Sequence, residues 1–92
     1  MIVRIMGEGQ YDVPGDALDD LNGLDSALEQ ALQTEQEAGF RAALVALLER
    51  VRAVGVRLPD ESLEPSDAIL PDGDASIEDV RELLGEEGLI PG

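Results

Sequence analysis

The 92-residue chain is long enough for one small domain and too short for two, because a chain of this length buries only about two-thirds of the surface that unfolding exposes. It has no cysteine and no histidine, which removes disulfides, thiolate nucleophiles, common zinc sites and imidazole acid–base catalysis. Asp and Glu number 21 against six Arg and no Lys, for a net charge of −15, which repels nucleic acid and anionic lipid headgroups. The composition therefore predicts an acidic protein-binding domain without covalent chemistry; a surface charged for solubility alone is the alternative.

The hydrophobic fraction is 43%, yet Tyr11 and Phe40 are the only aromatic residues. The core must therefore consist mainly of Leu, Val, Ile and Ala, which favours helices packed on a small sheet. Residues 2–6 are apolar apart from Arg4 and are too short a run for a signal sequence, and no later run approaches the roughly 20 apolar residues of a membrane span. We expect a soluble, cytoplasmic protein.

Residues 1–14 predict a β-hairpin. The sequence Ile-Val-Arg-Ile-Met at residues 2–6 is apolar and partly β-branched, and Gly7-Glu8-Gly9 supplies two residues suited to positive φ. Alternation then resumes at residues 10–13. It predicts that Val3 and Ile5 share one face, that Ile2, Arg4 and Met6 share the other, and that Tyr11 and Val13 continue an apolar face.

Residues 15–55 predict an antiparallel pair of helices. Pro14-Gly15-Asp16 begins the first, and its apolar residues recur every three or four positions to about residue 33. Asn22-Gly23 is a weak point, but the apolar stripe keeps its phase across it, so one helix is preferred to two. The members of this stripe are Leu18, Leu21, Leu24, Leu28, Ala31 and Leu32.

Thr34-Glu35-Gln36-Glu37 fits a capping box, so we expect Thr34 to be the N-cap of the second helix. Gly55 is suited to end that helix. The short connection favours antiparallel packing of the two helices. The second apolar stripe comprises Phe40, Leu44, Leu47, Leu48, Val51 and Val54.

Residues 56–75 predict an acidic loop punctuated by three prolines, in which Ala68-Ile69-Leu70 forms a short strand or an apolar anchor. Ser76-Ile77-Glu78-Asp79 again follows capping-box logic and begins a short third helix that ends at Gly85. The apolar end of the chain, residues 88–92, is expected to dock on the domain. The fold class is α+β: an N-terminal β-hairpin with a short extra strand, packed on the helix pair and a small C-terminal helix.

The acidic clusters invite a search for metal sites, since Ca²⁺ and Mg²⁺ prefer converging oxygen ligands. Asp16, Asp19 and Asp20 lie within one turn, but this spacing is equally typical of an acidic helix N-terminus. Asp72-Gly73-Asp74 is typical of a turn, and Gly7-Glu8-Gly9 lacks the Lys and Ser/Thr of a phosphate loop. We predict no catalytic, cofactor-binding or metal-binding residue.

Four arginines concentrate positive charge around the second helix: Arg41, Arg50, Arg52 and Arg57. One interpretation is intramolecular pairing with the acidic first helix, together with an Arg41–Glu37 pair within the second. The other is a charged interface with a partner coiled coil, where the guanidinium fork binds carboxylates in bidentate fashion. Residual apolar surface on the helices would serve dimerisation or a partner helix. The sequence does not identify the partner-binding residues.

Three stretches together resemble the PspA-associated domain family, PspAA: residues 1–11 (Met-Ile-Val-Arg-Ile-Met-Gly-Glu-Gly-Gln-Tyr), 65–71 (Pro-Ser-Asp-Ala-Ile-Leu-Pro) and 82–92 (Glu-Leu-Leu-Gly-Glu-Glu-Gly-Leu-Ile-Pro-Gly). The resemblance runs the full length of the chain. It implies a partner of phage shock protein A, a coiled-coil protein that assembles on the inner face of a stressed membrane. It implies no enzymatic activity, cofactor or catalytic residue.

The expected function is thus a non-enzymatic adaptor or regulator in the envelope stress response. It would be cytoplasmic and reach the inner face of the cell membrane only through its partner. Two alternatives stay open: a self-associating structural domain that forms a homodimer, and an acidic mimic that occupies the basic surface of another protein.

Overall fold

The computed structural model describes residues 1–83 and has the predicted α+β architecture. Two strands are followed by two long helices, two further strands and a short helix. The elements are β1 (Ile2–Ile5), β2 (Gly9–Asp12), α1 (Leu18–Thr34), α2 (Glu37–Val54), β3 (Val56–Arg57), β4 (Ala68–Leu70) and α3 (Ile77–Leu83). None of the helices among these residues has the length and apolar character needed to cross a bilayer.

The N-terminal hairpin confirms the prediction. β1 and β2 are antiparallel, with Val3 opposite Tyr11 and Ile5 opposite Gly9. The turn requires the left-handed conformations of Gly7 and Gly9, whose φ angles are 80° and 137°. The predicted faces are also correct, since Val3 and Ile5 are buried whereas Arg4 is exposed.

The sheet has four strands in the order β3-β2-β1-β4. Ala68–Leu70 is a strand, as one of the two predicted alternatives required, and it pairs in parallel with β1. The prediction that residues 56–75 form a loop missed β3, in which Val56 and Arg57 pair with β2. A strand of two residues is too short to show an alternating pattern in the sequence. It forms because the end of α2 brings the chain next to β2.

The helices cover one face of the sheet and form a single core with it. That face carries Val3, Ile5 and Tyr11, which alternate with outward-facing neighbours. The helices contribute Leu21, Leu28, Leu32, Phe40, Leu44, Leu47, Leu48 and Val51, all buried. Most of the predicted stripe positions therefore do face the core, as their spacing requires.

Helix α1 runs without a break through Asn22-Gly23, which confirms the preference for one helix. Its stripe contains one polar member that the apolar pattern passed over, because Asp25 is buried with 3% of its surface exposed. Asp25 lies four residues after Leu21 and three before Leu28, on the same face of the helix.

The predicted capping box at Thr34 is wrong. Thr34 is the last residue of α1, and its hydroxyl donates to the carbonyls of Gln30 and Ala31, at 3.1 and 3.3 Å. Glu35 ends α1 in a left-handed conformation, with φ 55°, and its amide bonds back to that helix. Gln36 is the N-cap of α2 and makes no side-chain cap hydrogen bond. α1 therefore extends through Thr34, and α2 begins at Glu37, two residues later than a cap at Thr34 would place it.

The capping box at Ser76 is confirmed. The Asp79 amide donates to Ser76 Oγ, and the Ser76 amide donates to Asp79 Oδ2, both at 3.1 Å. Val80 inserts into the core, while Arg81 donates to the Leu32 carbonyl at the end of α1. The predicted end of this helix at Gly85 and the docked tail at residues 88–92 lie outside the described residues.

The chain between β3 and β4 crosses the outer face of the sheet, opposite the helices. These strands lie at opposite edges, so residues 58–67 must pass over β2 and β1. Gln10 faces this segment and is only 5% exposed; its amide donates to the Glu64 carbonyl at 2.6 Å and to Ser66 Oγ at 2.9 Å. At the far edge, Asp67 Oδ2 accepts from the Ile2 amide.

Candidate partner-binding surface

A shallow groove lies where the end of β1, the chain following β4, and α3 meet. Its floor is apolar and consists of Met6, Pro71, Ala75 and Leu83. Met6 and Leu83 are 47% and 39% exposed, whereas Pro71 and Ala75 are buried. The groove has a volume of about 250 Å³.

The rim of this groove is acidic. Asp72, Asp79 and Glu82 line it and are exposed. Two of them are fixed by local turns, because Asp72 Oδ1 accepts from the Asp74 amide and Asp79 Oδ2 accepts from the Ser76 amide. No arginine is among the described residues that line it. We call this surface the acidic-rimmed groove.

The outer face of the sheet extends the apolar surface toward this groove. Ile69 lies beside Arg4 in the parallel register of β4 and β1, and it is 43% exposed. Met6 follows two residues after Arg4 and belongs to the same face by alternation. Ile69 and Met6 thus expose apolar surface on this face of the sheet, with the charged Arg4 beside Ile69.

The arginines of the second helix do not act as one group. Arg50 pairs with Asp20 of α1 at 2.9 Å, as the intramolecular interpretation requires. Arg41 stacks on the Phe40 ring and donates to the Gly73 carbonyl, so the Arg41–Glu37 pair was a wrong prediction. Arg52 instead turns toward the β1–β2 turn. Among the described residues, Arg50 is therefore the only arginine of α2 that pairs with a carboxylate of α1.

Glu8, Tyr11, Arg52 and Arg57 form a cluster that ties the β1–β2 turn to α2. Arg52 grips the Glu8 carboxylate through two nitrogens at 2.8 and 2.9 Å, Tyr11 donates to it at 2.7 Å, and Arg57 donates to the Glu8 carbonyl at 2.8 Å. The hydrogen bonds from Arg52 and Tyr11 lower the pKa of Glu8, and the bond to Glu8 raises the pKa of Tyr11. These contacts favour the ionised Glu8 carboxylate, whose oxygens accept hydrogen bonds from Arg52 and Tyr11. We call this link between the β1–β2 turn and α2 the brace.

The acidic and glycine-containing motifs of the sequence lie in turns and at the start of α1. Asp16 lies in a 3₁₀ turn before α1, whereas Asp19 and Asp20 lie in the first turn of α1. Within residues 1–83, no group of three or more Asp or Glu side chains is placed to hold a metal ion. Residues 72–74 form a turn, and Gly7-Glu8-Gly9 is the hairpin turn.

The fold and the groove define a class of protein: a small α+β domain whose helical hairpin packs on one face of a mixed four-stranded sheet. The chain belongs to the PspA-associated protein family, PspAA, whose model matches residues 1–92. The family's name indicates association with PspA. No curated protein and no solved structure matches the chain significantly.

Sequence reasoning did not find the groove. Its floor comes from the end of β1, from the turn after β4 and from α3, which lie far apart in the chain. The one available signal was Met6, an apolar residue on the face of β1 opposite the buried Val3 and Ile5. Alternation placed Met6 on that face but gave no neighbour for it.

Proposed function

We propose that this protein is a non-enzymatic adaptor that associates with PspA in the envelope stress response. The observation that carries the proposal is the match of the family model to the whole chain, residues 1–92. The amino-acid composition is consistent with this proposal, because the chain has neither cysteine nor histidine, on which many nucleophilic and acid–base mechanisms depend. Binding energy would come from surface complementarity alone.

We further propose that the protein works in the cytoplasm and reaches the membrane only through its partner. Its net charge of −15 opposes direct contact with an anionic leaflet, whose surface potential is negative. A coiled-coil partner on the membrane would supply the attachment. The acidity of the chain would then keep the adaptor from binding lipid on its own.

The direct test is a calorimetric titration of the 92-residue protein into purified PspA from the same organism. We expect a Kd in the micromolar range or tighter at moderate salt. No binding heat with PspA in the micromolar range would contradict the proposal. A salt series separates it from the acidic mimic, because purely electrostatic binding collapses steeply as salt rises, whereas binding that includes apolar contacts persists.

Self-association is the second candidate, and one observation favours it. β4 is an edge strand with the exposed apolar residue Ile69, and such edges pair with other strands when nothing covers them. Sedimentation of the protein alone over a wide concentration range distinguishes the two. A monomer at every concentration would exclude the homodimer and leave the adaptor proposal in place.

A further inference from the structure

We propose that the acidic-rimmed groove is the surface that receives PspA, and that it takes an apolar side chain flanked by Arg or Lys. This inference rests on the proposed function and specifies its site. It depends on the shape of the groove, the exposure of its floor and the sign of its charge, each of which points to the same kind of occupant.

The groove fits the side chains of a polypeptide. Its volume of about 250 Å³ lies below the roughly 300–1,000 Å³ of small-molecule pockets. Met6 and Leu83 present apolar atoms to solvent at 47% and 39% exposure, side by side with the buried Pro71. Methionine is also unbranched and adapts to partners of different shape. An apolar side chain laid between Met6 and Leu83 would remove both from water.

The charge of the rim selects a basic partner segment. Asp72, Asp79 and Glu82 surround the apolar floor, and Arg81, the nearest cation in sequence, is directed to Glu35 and the Leu32 carbonyl. A partner that brings Arg or Lys beside its apolar residue meets three carboxylates. Such complementarity accelerates encounter and rejects partners of the wrong sign.

The same charge disfavours the other occupants of an apolar groove. A second copy of the chain carries −15 and would bring further carboxylates to the rim. Residues 84–92 of the chain itself contain Glu86 and Glu87 and no basic residue. Both occupants therefore add like charge at the contact, where it is unfavourable.

The methionine methyl groups allow binding at the groove to be observed directly, because the chain has two methionines, Met1 and Met6. Met6 lies in the groove, whereas Met1 packs against the core and its amino group donates to the Val13 carbonyl at 3.0 Å. In protein labelled with ¹³C at the methionine methyls, we expect addition of PspA to shift or broaden the Met6 signal. The Met1 signal is the internal control and should stay in place.

A matched pair of charge reversals tests the rim. Glu82→Arg changes the groove, whereas Glu61→Arg makes the same change of charge at an exposed position that lines no described part of it. Titration into PspA should show about a tenfold weaker Kd for Glu82→Arg than for Glu61→Arg, because the introduced Arg would face the partner's own cation. Thermal unfolding of each variant alone monitors folding.

The outcomes separate the site from the function. If the native protein binds PspA but the Met6 signal is unchanged and the two variants bind alike, the groove is not the site and the adaptor proposal stands. If the native protein does not bind PspA, both proposals fail. If Glu82→Arg binds PspA as tightly as Glu61→Arg does, the inference is overturned, whether or not its thermal midpoint changes.

Discussion

The two faces of the sheet are covered by different kinds of contact. On one face, α1 and α2 bury apolar side chains such as Val3 and Leu44 completely. On the other, a single segment crosses the strands and is held by the polar side chains of Gln10 and Asp67. The helical face therefore supplies most of the stability, since burial of apolar area is the dominant favourable term. The crossing segment is fastened at a few points, and loss of one should act locally.

The largest expected effect is on the helical face. Phe40→Ala removes a fully buried ring and should lower the free energy of unfolding by about 3–5 kcal/mol. The matched change on the outer face, Ile69→Ala, acts on a 43% exposed side chain and should cost less than about 1 kcal/mol. Urea unfolding followed by circular dichroism measures both. Equal losses would contradict the division of the sheet into a structural and a lightly covered face.

An intermediate effect is expected where the crossing segment is fastened. Gln10→Ala removes a side chain that is 5% exposed together with its bonds to Glu64 and Ser66, and should cost about 1–3 kcal/mol. Arg4→Ala is the control, because Arg4 is its exposed neighbour in register and its side chain forms no hydrogen bond with any described residue.

A protease that cuts after Glu shows whether the effect of Gln10→Ala is local. We expect faster cleavage at Glu61 and Glu64 in this variant than in Arg4→Ala, under conditions where both remain folded. If the two variants are cleaved at the same rate, the Gln10 side chain does not hold the segment on the sheet.

The smallest effect concerns the brace between the β1–β2 turn and α2. Glu8 is 28% exposed and Arg52 41%, so solvent weakens their pair, and Glu8→Gln should cost about 1 kcal/mol at pH 7. The pKa of Glu8 is lower in the folded protein than its ordinary value of 4.5. Its ionised form therefore stabilises the fold above about pH 4.5, and this contribution is lost as pH falls through the lowered pKa.

Unfolding of both proteins across pH 7 to pH 2 checks this sign. The difference in stability between the native protein and Glu8→Gln should be constant near neutral pH and shrink in acid. Glu61→Gln, at an exposed position without an ion pair among the described residues, is the charge-matched control. A gap between native protein and Glu8→Gln that widens on acidification would contradict the role of the Glu8 carboxylate.

The two capping motifs show where local pattern suffices. Ser76 and Asp79 form the predicted reciprocal bonds, and Ser76 lies just before α3, outside any other helix. Thr34 has the same pattern but belongs to the last turn of α1. The pattern encodes a cap only if no helix already includes its first residue, and the packing of α1 on α2 decides that.

Gly55 ends α2 for a reason that the local sequence does not contain. The sequence predicted that it would end α2, and α2 does end at Val54. Its backbone is extended, however, with φ −87° and ψ 156°. A Cβ there would lie 2.8 Å from the Val51 carbonyl oxygen and 3.0 Å from Cβ of Tyr11. Glycine is thus required by the close approach of α2 to β2, which no local pattern contains.

The sequence by itself determined the charge, the absence of cysteine and histidine, the hairpin, the helix pair and the family resemblance. These depend on composition or on spacings of a few residues, which local backbone geometry fixes. Tertiary structure alone decided the order of the four strands, the burial of Gln10 beneath residues 58–67, and the meeting of Met6 with Leu83. Such contacts join residues more than 40 positions apart, and only the packing of the whole chain selects among the many pairings that the same local patterns allow.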